Sequence, residues 1–187
     1  MPFIDVIEPE QAEGTLKEIY DNLVQSRGKI AEVHKIQSLN PESIVRHMDL
    51  YMAIMFGKSP LKRYQREMIA VVVSAANNCE YCAIHHGAAL EHFWKDEERV
   101  VRLVNDYHTA DLDANDTLLA NYAHALTTQP TSINRDEFIE PLKNAGFDDR
   151  AILDAALVTS YFNFVNRMIL GLGVNVEPDG GKGYNYD

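Results

Sequence analysis

The residues with the clearest capacity for chemistry are two cysteines three positions apart, Cys79 and Cys82, with His86 four positions further on. In a helix that begins near Cys79, these three side chains fall within roughly 60° of one another, and His85 points well away from that face. The start of a helix and a Cys-x-x-Cys motif both favour thiolate over thiol. The spacing therefore predicts thiol redox chemistry, in which one sulfur attacks a peroxide or a disulfide and the second traps the oxidised sulfur.

A carboxylate upstream could supply proton transfer to this pair. Glu67 lies twelve residues before Cys79, within an apolar segment that the pair Asn77–Asn78 interrupts. A tight bend there would place Glu67 beside the cysteine helix, in surroundings that raise the pKa of a carboxyl group. Such a group could exchange protons with a thiol through His86 or a water molecule. The candidate catalytic residues are Cys79, Cys82, His86 and Glu67.

Two other interpretations of these residues stay open. Buried cysteines can act simply as small hydrophobic residues, although inert cysteines need no acid or base beside them. The cysteines and His86 could also bind zinc with Glu67 as a fourth ligand, but no distant second pair of Cys or His completes such a site. We therefore expect neither a metal nor an organic cofactor. The remaining histidines are predicted to be surface or core residues: His34, His47, His85, His92, His108 and His124.

Helical periodicity recurs along the chain and alternating strand patterns are scarce, which predicts an all-α protein of seven or eight helices in a single domain. Asn78 is the expected N-cap of the cysteine helix, Pro60 the expected start of the helix before it, and Gly171 the expected end of the last one. Within the domain of residues 1–187, we expect a helical extension (1–40), a core (41–173) and an irregular tail (174–187). The predicted helices are 10–26, 41–57, 60–76, 79–93, 96–107, one from 113 or 115, 134–146 and 148–170.

Composition limits the partners and the compartment. The formal net charge of −11 over 187 residues argues against nucleic acid and against anionic membrane surfaces. The N-terminus has no basic segment followed by an apolar core, and no stretch approaches the ~18 apolar residues that a membrane helix needs. We expect a cytoplasmic protein, and thiols are kept reduced in that compartment.

The spacing Glu-x11-Cys-x2-Cys-x3-His resembles the alkylhydroperoxidase D (AhpD) branch of the carboxymuconolactone decarboxylase-like superfamily. The segments Tyr161–Arg167 and Gly171–Val174 are similar to its "peroxidase-related" subgroup. The resemblance implies an AhpD-like helical fold and a homo-oligomer (dimer, trimer or hexamer). It also implies that Cys82 attacks peroxide, Cys79 resolves, Glu67 is the general base or proton relay, and His86 orients and activates Cys82.

The expected function is a thiol-dependent peroxidase that takes a hydroperoxide as substrate and is re-reduced by a thiol protein or a small thiol. One departure concerns Tyr81, which stands where the family's peroxidases carry a second histidine, so the proton relay is expected to differ. Two alternatives remain. The chain could be a non-catalytic redox sensor or thiol–disulfide relay, or it could decarboxylate a lactone acid, although members with that role lack the cysteine pair.

Overall fold

The computed structural model describes residues 1–178 and 180, and every regular element within them is helical, which confirms the all-α prediction. These residues form nine α-helices rather than seven or eight, because the sequence pattern did not reveal the short helix at 32–35. Among them, no helix combines the length and the apolar character needed to cross a bilayer. The helices are α1 (Gly14–Arg27), α2 (Glu32–Lys35), α3 (Pro41–Tyr51), α4 (Arg63–Ala76), α5 (Glu80–Trp94), α6 (Glu97–Asn105), α7 (Ala114–Thr128), α8 (Glu140–Asn144) and α9 (Asp149–Leu172).

Helix α4 lies at the centre of the fold and packs against α5, α7 and α9. Its residues from Gln65 to Ser74 are all buried. A helix that is buried on every side can be apolar all round, which accounts for the long apolar run of the sequence. Because Glu67 belongs to this helix, its carboxylate lies inside the protein with no exposure to solvent.

The turn between α4 and α5 places Cys79, not Asn78, at the N-cap of the cysteine helix. Asn78 has φ 55°, a left-handed conformation that asparagine tolerates better than most residues. The chain reverses there, and the Cys79 amide donates to the Ser74 carbonyl at 2.8 Å. The predicted cap was therefore wrong by one residue, and helical geometry begins only after Cys79.

Two other predicted helix boundaries also shift. Helix α4 begins at Arg63 instead of Pro60, because the capping contact is made further along the chain, where Gln65 Oε1 accepts from the Lys62 amide at 2.9 Å. Helix α9 continues through Gly171 and ends at Gly173, whose φ of 65° reverses the chain.

The C-terminal residues that the structure describes, 174–178 and 180, have no regular helix. Within them, Glu177 packs against the first turn of α5. The rest of the predicted tail, 179 and 181–187, lies outside the described residues.

Gly57 offers a direct test of the segment that leads into α4. A Cβ added there would lie 2.2 Å from the backbone oxygen of Ala53. We expect Gly57→Ala to lower the free energy of unfolding by about 2 kcal/mol, since neither backbone segment can easily move. Urea denaturation would measure the loss.

Gly171→Ala is the matched control. A Cβ at Gly171 meets nothing within 4 Å, and alanine is favoured over glycine inside a helix by roughly 1 kcal/mol. This variant should be as stable as the wild type or slightly more so. Equal destabilisation by both substitutions would contradict the packing described here.

Candidate active site

The two cysteines open onto different spaces. Cys82 lines a narrow cavity of about 90 Å³, whereas Cys79 lines a cleft of about 630 Å³ between α5 and α6. The expectation that both sulfurs share one helical face with His86 is therefore wrong for Cys79. As the N-cap residue, Cys79 has φ −92° and ψ 87°, so the helical periodicity does not extend to it.

The cavity beside Cys82 has mostly aromatic walls. Tyr51, Phe56, Tyr161 and Phe162 line it, and His86 lies in the same lining. The lining also includes Arg27 and Arg63, and a mostly aromatic cavity with a few polar groups is typical of a site for a small organic ligand. Within residues 1–178 and 180, no three His, Cys, Asp or Glu side chains are grouped so as to hold a metal ion.

His86 is oriented by the buried carboxylate of Glu67. Its Nδ1 lies 2.7 Å from Glu67 Oε2, so the Nδ1–H donates to the carboxylate and Nε2 is the ring nitrogen that Glu67 does not engage. The imidazole packs edge-on against Phe162, with ring centroids 4.4 Å apart. This arrangement fixes the orientation of the imidazole, and in the neutral ring the proton is on Nδ1 and the lone pair on Nε2.

The pKa of Glu67 differs from the sequence prediction. Burial alone would raise its pKa, but the charges and hydrogen bonds of His86 and Arg63 outweigh burial and lower it. Arg63 Nε donates to Glu67 Oε1 at 3.0 Å, and the guanidinium stacks 3.7 Å from the Phe56 ring centroid. The expected rise in pKa is therefore wrong, because Arg63, one turn before Glu67, was not recognised as its partner.

The cysteine side chains are free thiols in hydrogen-bond contact with each other. The hydrogen bond from Cys82 lowers the pKa of Cys79 in spite of burial. The pKa of Cys82 is raised by that same bond and by burial. Of the two thiols, Cys79 is therefore the one that loses its proton more readily, and Cys82 is the one that holds its proton more tightly.

Asn166 connects this pair to α9, and sequence reasoning did not single it out. Its amide donates to Ser74 Oγ at 3.2 Å and accepts from Asn77 Nδ2 at 3.0 Å. It also hydrogen-bonds both cysteines and lowers the pKa of each. Its only signal in the sequence was its place in the family-like segment 161–167.

His85 lines the Cys82 cavity, contrary to the prediction that it points away. Its Nδ1 lies 2.7 Å from the Tyr81 carbonyl oxygen, and its Nε2 lies 2.9 Å from Glu177 Oε2. Each ring nitrogen therefore faces an acceptor oxygen. The ring also stacks on Tyr81, with centroids 4.2 Å apart.

Glu177 contacts two residues of the cavity lining, Tyr81 and His85. Its Oε1 accepts from the Tyr81 hydroxyl at 2.9 Å and from the Glu32 amide at 3.0 Å. Burial raises the pKa of Glu177, but the contacts with His85 and the Glu32 amide bring it down to about 2. Sequence analysis missed this residue because it lies in an irregular segment, 96 residues from Tyr81 and 145 residues from Glu32.

Comparison with known proteins places this site in a family. Residues 45–125 match the model of the carboxymuconolactone decarboxylase family. An uncharacterised peroxidase-related protein from Silicibacter sp. TM1040 is 31% identical over 96% of this chain and 91% of its own, with a TM-score of 0.82. The chain belongs to the carboxymuconolactone decarboxylase-like superfamily and has the AhpD-like fold, as the motif predicted.

Two further solved structures share the fold. A peroxidase-related protein from Ralstonia eutropha JMP134, described as an AhpD core, is 24% identical over 96% of this chain and 94% of its own, with a TM-score of 0.86. The debrominase Bmp8 is 18% identical over 95% of this chain and 94% of its own, with a TM-score of 0.77. No curated protein matches the chain.

The shared thiolate can be tested by titration. We expect the ultraviolet absorbance of the reduced protein to show one thiolate with a pKa below the ordinary cysteine value, and no second thiolate in the same range. Asn166→Ala should raise that pKa, since it removes a hydrogen bond to the sulfur. Asn163→Ala removes a neighbouring amide that hydrogen-bonds Asn77 and Thr127, and this variant should leave the thiolate pKa unchanged. Two thiolates titrating together would contradict this account.

The contacts of Glu177 predict a pH dependence of stability. A carboxyl whose pKa falls from 4.5 to about 2 on folding stabilises the protein above pH 4.5, and this contribution is lost as the pH falls toward 2. Glu177→Gln should therefore unfold more easily than the wild type at neutral pH, and the difference should shrink below pH 4.5. Urea denaturation across this range measures it, with the exposed Glu18→Gln as control. A difference independent of pH would show that Glu177 is not held as described.

Proposed function

We propose that the protein is a thiol-dependent peroxidase that reduces organic hydroperoxides with the Cys79/Cys82 dithiol. The observation that carries the proposal is the meeting of Cys82 and His86 at one mostly aromatic cavity, with His86 oriented by the buried Glu67 carboxylate. An inert cysteine pair needs no such base, and the cavity is large enough only for a small substrate. The family membership supports the same class of reaction.

In the first step, His86 Nε2 removes the proton of Cys82, and the resulting thiolate attacks the terminal oxygen of the hydroperoxide. The O–O bond breaks as an S–O bond forms, and the proton that His86 took balances the departing alkoxide, so the products are a sulfenic acid on Cys82 and an alcohol. The Cys79 thiolate then attacks the oxidised sulfur, and the disulfide forms as hydroxide leaves and takes a proton from solvent to become water. Two electrons pass from the dithiol to the peroxide.

An external thiol completes the cycle. Two thiol groups of a donor protein or small molecule reduce the disulfide by exchange and become a disulfide themselves. The larger cleft borders Cys79 and the narrow cavity borders Cys82, so we assign the cleft to the donor and the cavity to the hydroperoxide. Oxidant and donor would thus approach from different sides of α5.

Kinetics of thiol oxidation test the proposal. Wild-type protein should lose two thiols per equivalent of cumene hydroperoxide, much faster than free cysteine, and should keep consuming peroxide when a dithiol is supplied. Cys82→Ser should be inert, and Cys79→Ser should oxidise at Cys82 without forming an intramolecular disulfide. His86→Asn should slow the first step on the order of 100-fold, because it removes the general base.

His108→Asn serves as the matched control, since His108 is exposed and does not line the cavity. It should leave the rate unchanged. Oxidation no faster than that of free cysteine would refute the peroxidase. A single oxidation without turnover would favour the redox sensor instead, and full activity of a cysteine-free variant on a lactone acid would favour decarboxylation.

A further inference from the structure

Three buried polar side chains form a hydrogen-bonded chain that reaches the cavity wall, and the proposed peroxidase cycle does not use them. Gln37 Nε2 lies 2.8 Å from His47 Nδ1, and His47 Nε2 lies 2.6 Å from the Tyr161 hydroxyl. All three are less than 10% exposed. A buried polar chain of this kind has to be paired at each link, so the direction of each hydrogen bond can be worked out.

The direction of the hydrogen bonds in this chain is set at Gln37. Its Nε2 also lies 2.7 Å from the carbonyl oxygen of Val33, which can only accept, so this end of the amide is the NH₂ group. The same NH₂ therefore donates to His47 Nδ1, and that nitrogen accepts.

The proton of His47 is then fixed on its other nitrogen. Burial lowers the pKa of His47 to about 4, so the imidazole is neutral and carries one proton. Since Nδ1 accepts, the proton is on Nε2, and Nε2–H donates to the oxygen of Tyr161. The hydroxyl proton of Tyr161 is consequently free to donate elsewhere.

Tyr161 lines the same cavity as Cys82. Burial, together with nearby Tyr51 and Cys82, raises its pKa well above the ordinary value, so the phenol keeps its proton in the resting enzyme. The chain from the Val33 carbonyl to Tyr161 thus presents an oriented O–H donor at the wall of the cavity that holds the reactive sulfur.

We propose that Tyr161 is a catalytic residue that donates its hydroxyl proton to the leaving oxygen of the hydroperoxide, and that Gln37 and His47 position it. The proposal rests on the peroxidase function. As the Cys82 thiolate bonds to the terminal oxygen, the electron pair of the O–O bond departs on the alkoxide. Tyr161 protonates that oxygen to give the alcohol, and His47 Nε2–H stabilises the phenolate. The proton that His86 took from Cys82 then restores Tyr161, so the net products are the sulfenic acid and the alcohol.

A comparison of leaving groups tests this role. The alkoxide from tert-butyl hydroperoxide is strongly basic and needs a proton, whereas the acetate from peracetic acid leaves without one. We expect Tyr161→Phe to slow the oxidation of Cys82 by tert-butyl hydroperoxide on the order of 100-fold, and that by peracetic acid by less than about threefold. Tyr122→Phe removes a buried tyrosine hydroxyl outside the cavity and should affect neither rate.

His47→Asn provides a second test that keeps the phenol of Tyr161. It should slow the oxidation of Cys82 less than Tyr161→Phe does, with the same dependence on the leaving group. Equal slowing with both oxidants would show a merely structural role and overturn the proposal, as would no slowing with either. If the wild type itself reacts with both oxidants no faster than free cysteine, the proposed peroxidase function fails, and the role of Tyr161 fails with it.

Discussion

The structure depends on one buried charge, the carboxylate of Glu67, which has no exposure to solvent. An ionised group in this position is tolerated only when partners replace its hydration, and Arg63 and His86 supply them. Removing one partner of such a buried pair typically costs about 3–5 kcal/mol, because the remaining charge is left uncompensated. The contact with His86 ties α4 to α5 and, at the same time, fixes which nitrogen of His86 faces the cavity. One interaction thus serves both the packing of the core and the orientation of the base.

The position of the cysteine pair follows from the turn between α4 and α5. Asn78 reverses the chain, Cys79 becomes the N-cap, and Cys82 falls in the first turn of α5. Asn166 bonds this turn from α9 and also touches both sulfurs. The sulfurs consequently remain in contact while facing different spaces. In the proposed cycle, this arrangement assigns the hydroperoxide to the side of Cys82 and the reducing partner to the side of Cys79.

Much of this could be predicted from sequence, because it depends on local spacing. The all-helical fold, the family and the association of His86 with Glu67 follow from periodicity and from a motif within twenty residues. Predictions failed where the deciding contact came from a distant segment of the chain, or where a residue lies before the first turn of its helix. Cys79 is not on the predicted face because an N-cap residue has non-helical dihedral angles.

The remaining errors have the same origin. The exception is the pKa of Glu67, which His86 and Arg63 together lower, since the i, i+4 pair of Arg63 and Glu67 is visible in the sequence. Glu177 and the Gln37–His47–Tyr161 chain join segments that are dozens of residues apart, and no local pattern signals them. Histidines that looked like packing residues therefore line the cavity.

The central claim is that Cys82 is the sulfur that meets the oxidant. The most direct measurement treats reduced wild-type protein with a substoichiometric amount of tert-butyl hydroperoxide in the presence of dimedone, which traps sulfenic acids, and locates the label by peptide mass spectrometry. The account predicts a label on Cys82, the sulfur that shares its cavity with His86 and Tyr161. A label on Cys79 would contradict it and would make the larger cleft the substrate site.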